Sequence, residues 1–132
     1  MPNHYHILLF QKTDRSFACA SNKIWYIYTC YYNKKYARKG TLFANKLQHI
    51  CVSNEAYLLK LCAYIHLNPV SAKIVSHPSQ WRWSNYKELI NNWGKNDFDE
   101  NFIRNYFPKP DDYQNYICGC MKFDEIKKYF LE

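Results

Sequence analysis

Two histidines close to the start of the chain, His4 and His6, are separated by a single residue. Side chains two positions apart in a β-strand lie on the same face, and the alternating pattern of positions 3–10 predicts a strand. Two imidazoles on one face could bind a divalent metal ion through neighbouring nitrogen atoms. Surface or packing histidines are the competing interpretation, and the pair alone does not decide between them.

A tyrosine and an asparagine, Tyr64 and Asn68, lie four residues apart in a segment whose apolar spacing predicts a helix. Residues four apart share one face of a helix, so the phenol and the amide would point to the same side. A phenol can act as a nucleophile, and an amide oxygen can serve as a metal ligand. The alternative is a core tyrosine followed by an asparagine that is favoured at a helix end.

The elements that would position these residues alternate in type along the chain. After the strand over positions 3–10 and a polar loop, the spacing predicts a helix from about Asn22 to Lys39, with Gly40 as its stop. Positions 41–52 are expected to be extended. This order of elements predicts an α+β fold in which helices pack on an antiparallel sheet, with one strand short of partners.

The second half of the chain is predicted to be helical. Ser53 or Asn54 is expected to cap a helix that ends at Asn68-Pro69, because a residue before proline avoids the helical conformation. Shorter helices are predicted at 71–76, from Ser84 to about Trp93, at 98–107 and at 123–130. We expect residues 1–95 to form the domain that contains His4, His6, Tyr64 and Asn68, and residues 96–132 to form an acidic helical tail.

Positive charge is concentrated in the first three quarters of the chain. Positions 1–96 contain 13 basic and 3 acidic side chains (+10), whereas positions 97–132 contain 5 and 8 (−3). Such a basic body favours a polyanionic partner. The phosphate contacts of such a partner are expected from Lys34, Lys35, Arg38, Lys39 and Lys46. Arg82 is expected to contribute to binding beside Trp81 and Trp83, with which it could stack a base. A solvated helix end is the alternative for the run from Lys34 to Lys39.

Aromatic residues make up 19% of the chain, and several are interleaved with these cations. Trp81-Arg82-Trp83 is one example, and the segment 31–36 is another. Proteins that bind unpaired bases combine positive grooves with aromatic stacking faces. Core packing is the alternative for most of the rings, and the favoured one for Trp81 and Trp83.

The six cysteines are not expected to form disulfides, because no segment of the sequence resembles a secretory signal. Cys30, Cys51 and Cys62 lie in apolar segments and are expected to be buried free thiols. Cys118 and Cys120 are too closely spaced for the usual zinc-binding pair. No apolar stretch of about 18 residues is present. We therefore expect a reduced, cytoplasmic protein.

Four blocks in the first 90 residues resemble, in the same order, the HUH single-tyrosine transposases of small insertion sequences and of REP elements. The blocks are Met1–Leu9, Tyr32–Tyr36 followed by Gly40–Phe43, Tyr57–Val70 and Trp83–Tyr86. Each block is weak alone, whereas their shared order is specific. Asn68 resembles the REP-associated branch, because the insertion-sequence branch often has glutamine at the corresponding position.

The resemblance implies a ferredoxin-like (RRM-like) antiparallel sheet with packed helices, and a metal-dependent enzyme that cleaves and rejoins single-stranded DNA. His4, His6 and Asn68 would be the ligands of Mg²⁺ or Mn²⁺, and Tyr64 the nucleophile that forms a 5′-phosphotyrosine intermediate. The expected partner is hairpin-containing single-stranded DNA, and the family permits a homodimer. The family pattern has a strand and a helix before the block at Met1, so we expect the catalytic domain to be N-terminally truncated.

Two other functions remain open at this point. A catalytically inactive remnant could still bind single-stranded DNA or RNA through its basic, aromatic body. A rolling-circle replication initiator would use the same HUH chemistry, although the Tyr64–Val70 segment resembles transposases more.

Overall fold

The computed structural model describes residues 1–11, 13, 16–45, 47–93 and 101–121, and these form helices joined by irregular segments. In chain order, the elements are α1 (Ser16–Lys35), α2 (Glu55–Ser71), a 3₁₀ turn (Pro78–Gln80), α3 (Tyr86–Asn91), α4 (Asn101–Tyr106) and α5 (Pro110–Met121). Among these residues, no helix is long and apolar enough to cross a membrane.

The predicted α+β, ferredoxin-like sheet is wrong for the part of the chain that the structure describes, because no strand occurs there. Positions 3–10 and 41–52 have the alternating or apolar residues typical of strands, yet neither segment has ladder partners among the described residues. A strand exists only where its backbone N–H and C=O groups pair with a neighbouring strand. Alternation of residue types by itself therefore does not ensure that a strand or a sheet forms.

The described residues divide into two compact units. One consists of Met1–Ile7 together with Val52–Glu132, and the other of Leu8–Cys51. The first contains all the buried apolar side chains of the described chain: Cys62, Ala63, Leu67, Pro69, Pro78, Tyr86, Leu89, Ile103, Tyr113 and Ile117. In the second unit, the one buried side chain among the described residues is Ser21. The hydrophobic core therefore lies among α2 to α5.

Helix α1 begins earlier and ends earlier than its apolar spacing predicts. Its end has the hydrogen bonds of a left-handed cap: the Arg38 N–H donates to the Asn33 carbonyl at 2.9 Å, and Ala37 between them has φ of 50°. This cap stops the helix at Lys35. Gly40, the predicted stop signal, also has a positive φ of 89° but lies beyond the helix.

Helix α2 begins as the sequence predicts, and its cap at Asn54 is confirmed. The Asn54 side-chain oxygen accepts a hydrogen bond from the Tyr57 N–H at 2.8 Å. The predicted end at Asn68 is wrong, because the helix continues through Pro69 to Ser71. A proline this close to a C-terminus removes one helical N–H, and the bond from the Ala72 N–H to the Asn68 carbonyl at 3.0 Å continues the helical pattern.

The remaining predicted helices are partly correct. Positions 71–76 do not form the predicted helix, and a 3₁₀ turn follows at Pro78–Gln80. Helices α3 and α4 fall within the predicted ranges Ser84–Trp93 and 98–107. Helix α5 was not predicted, although Pro110 at its start agrees with the preference of proline for the first turn of a helix. The predicted helix at 123–130 lies outside the described residues.

Candidate metal and nucleophile site

The four residues predicted to act as metal ligands or as the nucleophile belong to the same compact unit. His6 is the residue that lies near all of the other three. The Nδ2 atom of Asn68 lies 3.3 Å from the His6 Nε2, across 62 residues of sequence. The ring centroids of His4 and His6 are 5.0 Å apart, and the His4 Nδ1 lies 2.7 Å from the Asn3 side-chain oxygen. The structure thus brings together the two imidazoles and the amide that the sequence singled out.

Tyr64 is the fourth member of this cluster. Its ring meets the His6 ring edge to face, with centroids 5.3 Å apart and an interplanar angle of 69°. Tyr64 is half-buried on α2, one turn before Asn68, so both side chains lie on the helix face that meets His6. The phenol is therefore neither sealed in the core nor remote from the imidazoles.

The separation of the His6 and Asn68 side chains is compatible with two ligands of one divalent cation. Two ligands that each lie about 2.1 Å from one ion at a right angle are about 3.0 Å apart, which is close to the separation of the His6 and Asn68 side chains. In the structure, Asn68 turns its amide nitrogen toward His6, and rotating the amide by half a turn would bring its oxygen to this position. Partial burial of the ring and the charge of His4 hold the pKa of His6 below its ordinary value, which favours the neutral, metal-binding imidazole.

No group of three His, Cys, Asp or Glu side chains within the described residues could hold a metal ion. The cluster around His6 has only two side chains of these types, so an asparagine would have to complete it. Cys118, which is exposed on α5, is not part of such a group.

A shallow cleft of about 120 Å³ opens beside His6 and Asn68. Its other lining residues are Met1, Tyr5, Ile65, Pro69, Trp81, Trp83, Ser84 and Asn85. His4 and Tyr64 border His6 but do not line the cleft. The cleft thus extends from the imidazole and amide toward the segment between the 3₁₀ turn and α3.

A buried histidine that the sequence did not single out, His66, contacts Asn85 of the cleft lining. Its Nδ1 is 2.8 Å from the Tyr113 hydroxyl, and its Nε2 is 3.2 Å from the Asn85 side-chain oxygen. Because that oxygen can only accept, the Nε2 carries the proton and the Nδ1 accepts from Tyr113. This network links α5 to the residue that precedes α3.

Burial lowers the pKa of His66 from 6.5 to about 4, and the hydrogen bond to Asn85 opposes the shift only in part. The signal that could have found this residue is its position in the apolar stripe of α2. Cys62, Ala63 and Leu67 are its buried neighbours on the helix. A histidine in such a stripe must find hydrogen-bond partners in the fold.

The basic residues predicted to bind DNA lie in both units. Lys34, Lys35, Arg38 and Lys39 are exposed at and after the end of α1, in the unit that comprises Leu8–Cys51. Lys35 lies over the rings of Tyr31 and Tyr36 at 5.8 and 5.4 Å, and Arg38 over Tyr32 at 5.7 Å. Arg82 belongs to the unit that contains the cleft, and Lys46 lies outside the described residues.

Two of the three cysteines predicted to be buried are not. Cys30 and Cys51 are exposed, whereas Cys62 is buried in the core, where burial raises the pKa of its thiol to about 12. Cys30 and Cys51 belong to the unit around α1, whose described apolar side chains are not buried.

Comparison of the chain with protein-family models, with curated proteins and with solved structures gave no match.

Proposed function

We propose that the protein is a metal-dependent tyrosine transposase that cleaves and rejoins single-stranded DNA. The observation that carries the proposal is the convergence of His4, Tyr64 and Asn68 around His6 in one compact unit. Two imidazoles and an amide could supply metal ligands, and the phenol could supply the nucleophile for cleavage through a phosphotyrosine. The order of the sequence blocks that resemble HUH transposases supports the same chemistry.

In this proposal, His4, His6 and Asn68 would hold Mg²⁺ or Mn²⁺, which would supply charge to offset the developing negative charge on the scissile phosphate. The Tyr64 hydroxyl attacks phosphorus, and the bond from phosphorus to the 3′-oxygen breaks. The 3′-oxygen leaves with a proton, while the 5′-phosphate remains esterified to Tyr64. The ester preserves the bond energy, so a 3′-hydroxyl can reverse the step and rejoin the strands without ATP.

The alternative is a catalytically inactive protein that binds single strands. The exposed cations around Lys35 and Arg38 favour it, because they lie in a unit that contains none of the four clustered residues. Such a protein would bind DNA without forming a covalent bond. For either function we propose the reducing cytoplasm as the compartment, in agreement with the free cysteines among the described residues.

The two functions are separated by a search for the covalent adduct. The substrate is a 3′-labelled single-stranded DNA pool that carries a fixed hairpin with randomised flanks, supplied with Mg²⁺ or Mn²⁺. The transposase should transfer the label to the protein, and the adduct should survive denaturing electrophoresis and disappear with a chelator. Binding without any adduct, at every metal concentration, would favour the inactive protein.

We expect the affinity for single-stranded DNA to depend strongly on salt. If the basic surface contacts four to six phosphates, the log–log slope should be about −3 to −4, so doubling the salt should weaken binding roughly tenfold. Fluorescence anisotropy of a labelled oligonucleotide measures the slope. The variant in which glutamine replaces Lys34, Lys35, Arg38 and Lys39 should have a shallower log–log slope of about −1. A flat response of the unaltered protein would contradict a nucleic-acid role for these residues.

A further inference from the structure

Trp83 leaves 72% of its surface exposed at the rim of the cleft. The favoured interpretation from the sequence, a packing role, therefore does not hold for this ring. Burial of an aromatic side chain is among the larger stabilising contributions in a small domain, and an exposed side chain does not make this contribution. An exposed indole beside a candidate site is available to bind a ligand.

The exposure of Trp83 does not result from a loose backbone. The turn that carries it is closed by a hydrogen bond from the Ser84 N–H to the Trp81 carbonyl at 3.2 Å. On the far side, the Ser84 hydroxyl accepts from the N–H of Tyr86, which is 2% exposed and packs against His66. The indole is thus presented to solvent by a turn that is anchored in the core.

The charge around the ring is positive or neutral. The Arg82 guanidinium lies 4.4 Å from the centroid of the Trp83 ring, and Arg82 is itself exposed. No residue that lines the cleft within the described chain is acidic. A cation on one face of an indole leaves the opposite face for a second planar group, and the cleft would not repel an anion.

We propose that Trp83 and Arg82 form a stacking platform for one unpaired base of a single-stranded DNA. The base would stack on the indole, and the phosphate beside it would extend toward the cleft lined by His6 and Asn68. The ligand is a nucleotide unit with a planar base and an anionic linkage, which is the chemistry that an indole and a guanidinium recognise together. This inference rests on the proposed binding of single-stranded DNA but not on nucleophilic attack by Tyr64.

The test compares two strands that have the same number of phosphates. One is a fluorescein-labelled dT12, and the other is a 12-mer of abasic tetrahydrofuran nucleotides. Anisotropy titrations with the full chain should show that dT12 binds about tenfold more tightly, since each stacked base contributes strongly to affinity. Trp83→Ala should lose that preference, whereas Trp83→Phe should keep most of it. The salt slope should be unchanged in both variants, because no phosphate contact is removed.

Several outcomes would overturn the platform. Equal affinity of the unaltered protein for the two strands would do so, as would an undiminished preference in Trp83→Ala. A preference that is lost equally in Trp83→Phe and Trp83→Ala would point to disruption of the turn. Failure of the transposase chemistry is a separate result, because the covalent adduct could be absent while the preference for bases persists.

Discussion

The Tyr64→Phe variant is expected to form no covalent protein–DNA adduct, with cutting lowered by more than roughly 10³-fold. Phenylalanine removes only the hydroxyl group, which is the atom proposed to attack phosphorus. The ring that meets His6 edge to face remains, so binding of the single strand should change by no more than a few fold. Denaturing electrophoresis of the 3′-labelled DNA pool measures the adduct, and anisotropy measures the binding.

Tyr57→Phe is the matched control for this experiment. Tyr57 lies seven residues earlier on α2 and is half-buried like Tyr64, so both variants remove one hydroxyl from the same helix. The control should cut as well as the unaltered protein. Normal cutting by Tyr64→Phe would defeat the assignment of the nucleophile. Loss of cutting in both variants would show that the effect arises from the helix and not from the attacking atom.

The second large effect concerns the pH dependence of folding stability, through His66. Above about pH 6.5 the ring is neutral in both the folded and the unfolded chain, and the native network is intact. Between pH 6.5 and about 4 the unfolded chain binds a proton that the folded chain excludes, so the free energy of unfolding falls as the pH falls. Across this window the loss due to His66 should reach about 3 kcal/mol.

Chemical denaturation at several pH values measures this dependence. His66→Gln should be less stable than the unaltered protein at pH 7.5, because it disturbs the bonds to Tyr113 and Asn85. The difference in the free energy of unfolding between the two proteins should become smaller toward pH 4.5, since the variant has no buried imidazole that excludes a proton. His49→Gln, which changes an exposed histidine in the other unit, is the control and should retain the slope of the unaltered protein. A constant difference across the window would contradict a neutral, buried His66.

Local features of the sequence predicted local structure. The Asn54 cap and the helix that carries Tyr64 and Asn68 on one face depend on residues within two turns of one another. The left-handed cap at Ala37 is equally local, but alanine does not signal a positive φ as glycine does, so the end of α1 was placed too late. The pattern at 3–10 was the most misleading signal, because a strand depends on partners elsewhere in the chain.

The nearness of His6 to Asn68 could be expected only from the resemblance to HUH proteins, because 62 residues separate them. No periodicity or capping rule predicts a contact over that distance. The same holds for His66 and Tyr113, which are 47 residues apart. His66 lies on α2, within the blocks that resemble HUH proteins, whereas Tyr113 lies on α5, beyond them. Such contacts follow from how the helices pack.

By itself, the sequence determined the basic body, the starting point of α2, and the face on which Tyr64 and Asn68 lie, since charge and helical spacing are properties of neighbouring residues. The tertiary structure decided that positions 3–10 form no sheet within the described chain, that His66 is buried and that Trp83 is exposed. Each of these depends on which distant groups fill the space beside the residue. Burial and strand pairing are therefore settled by packing, which no local pattern encodes.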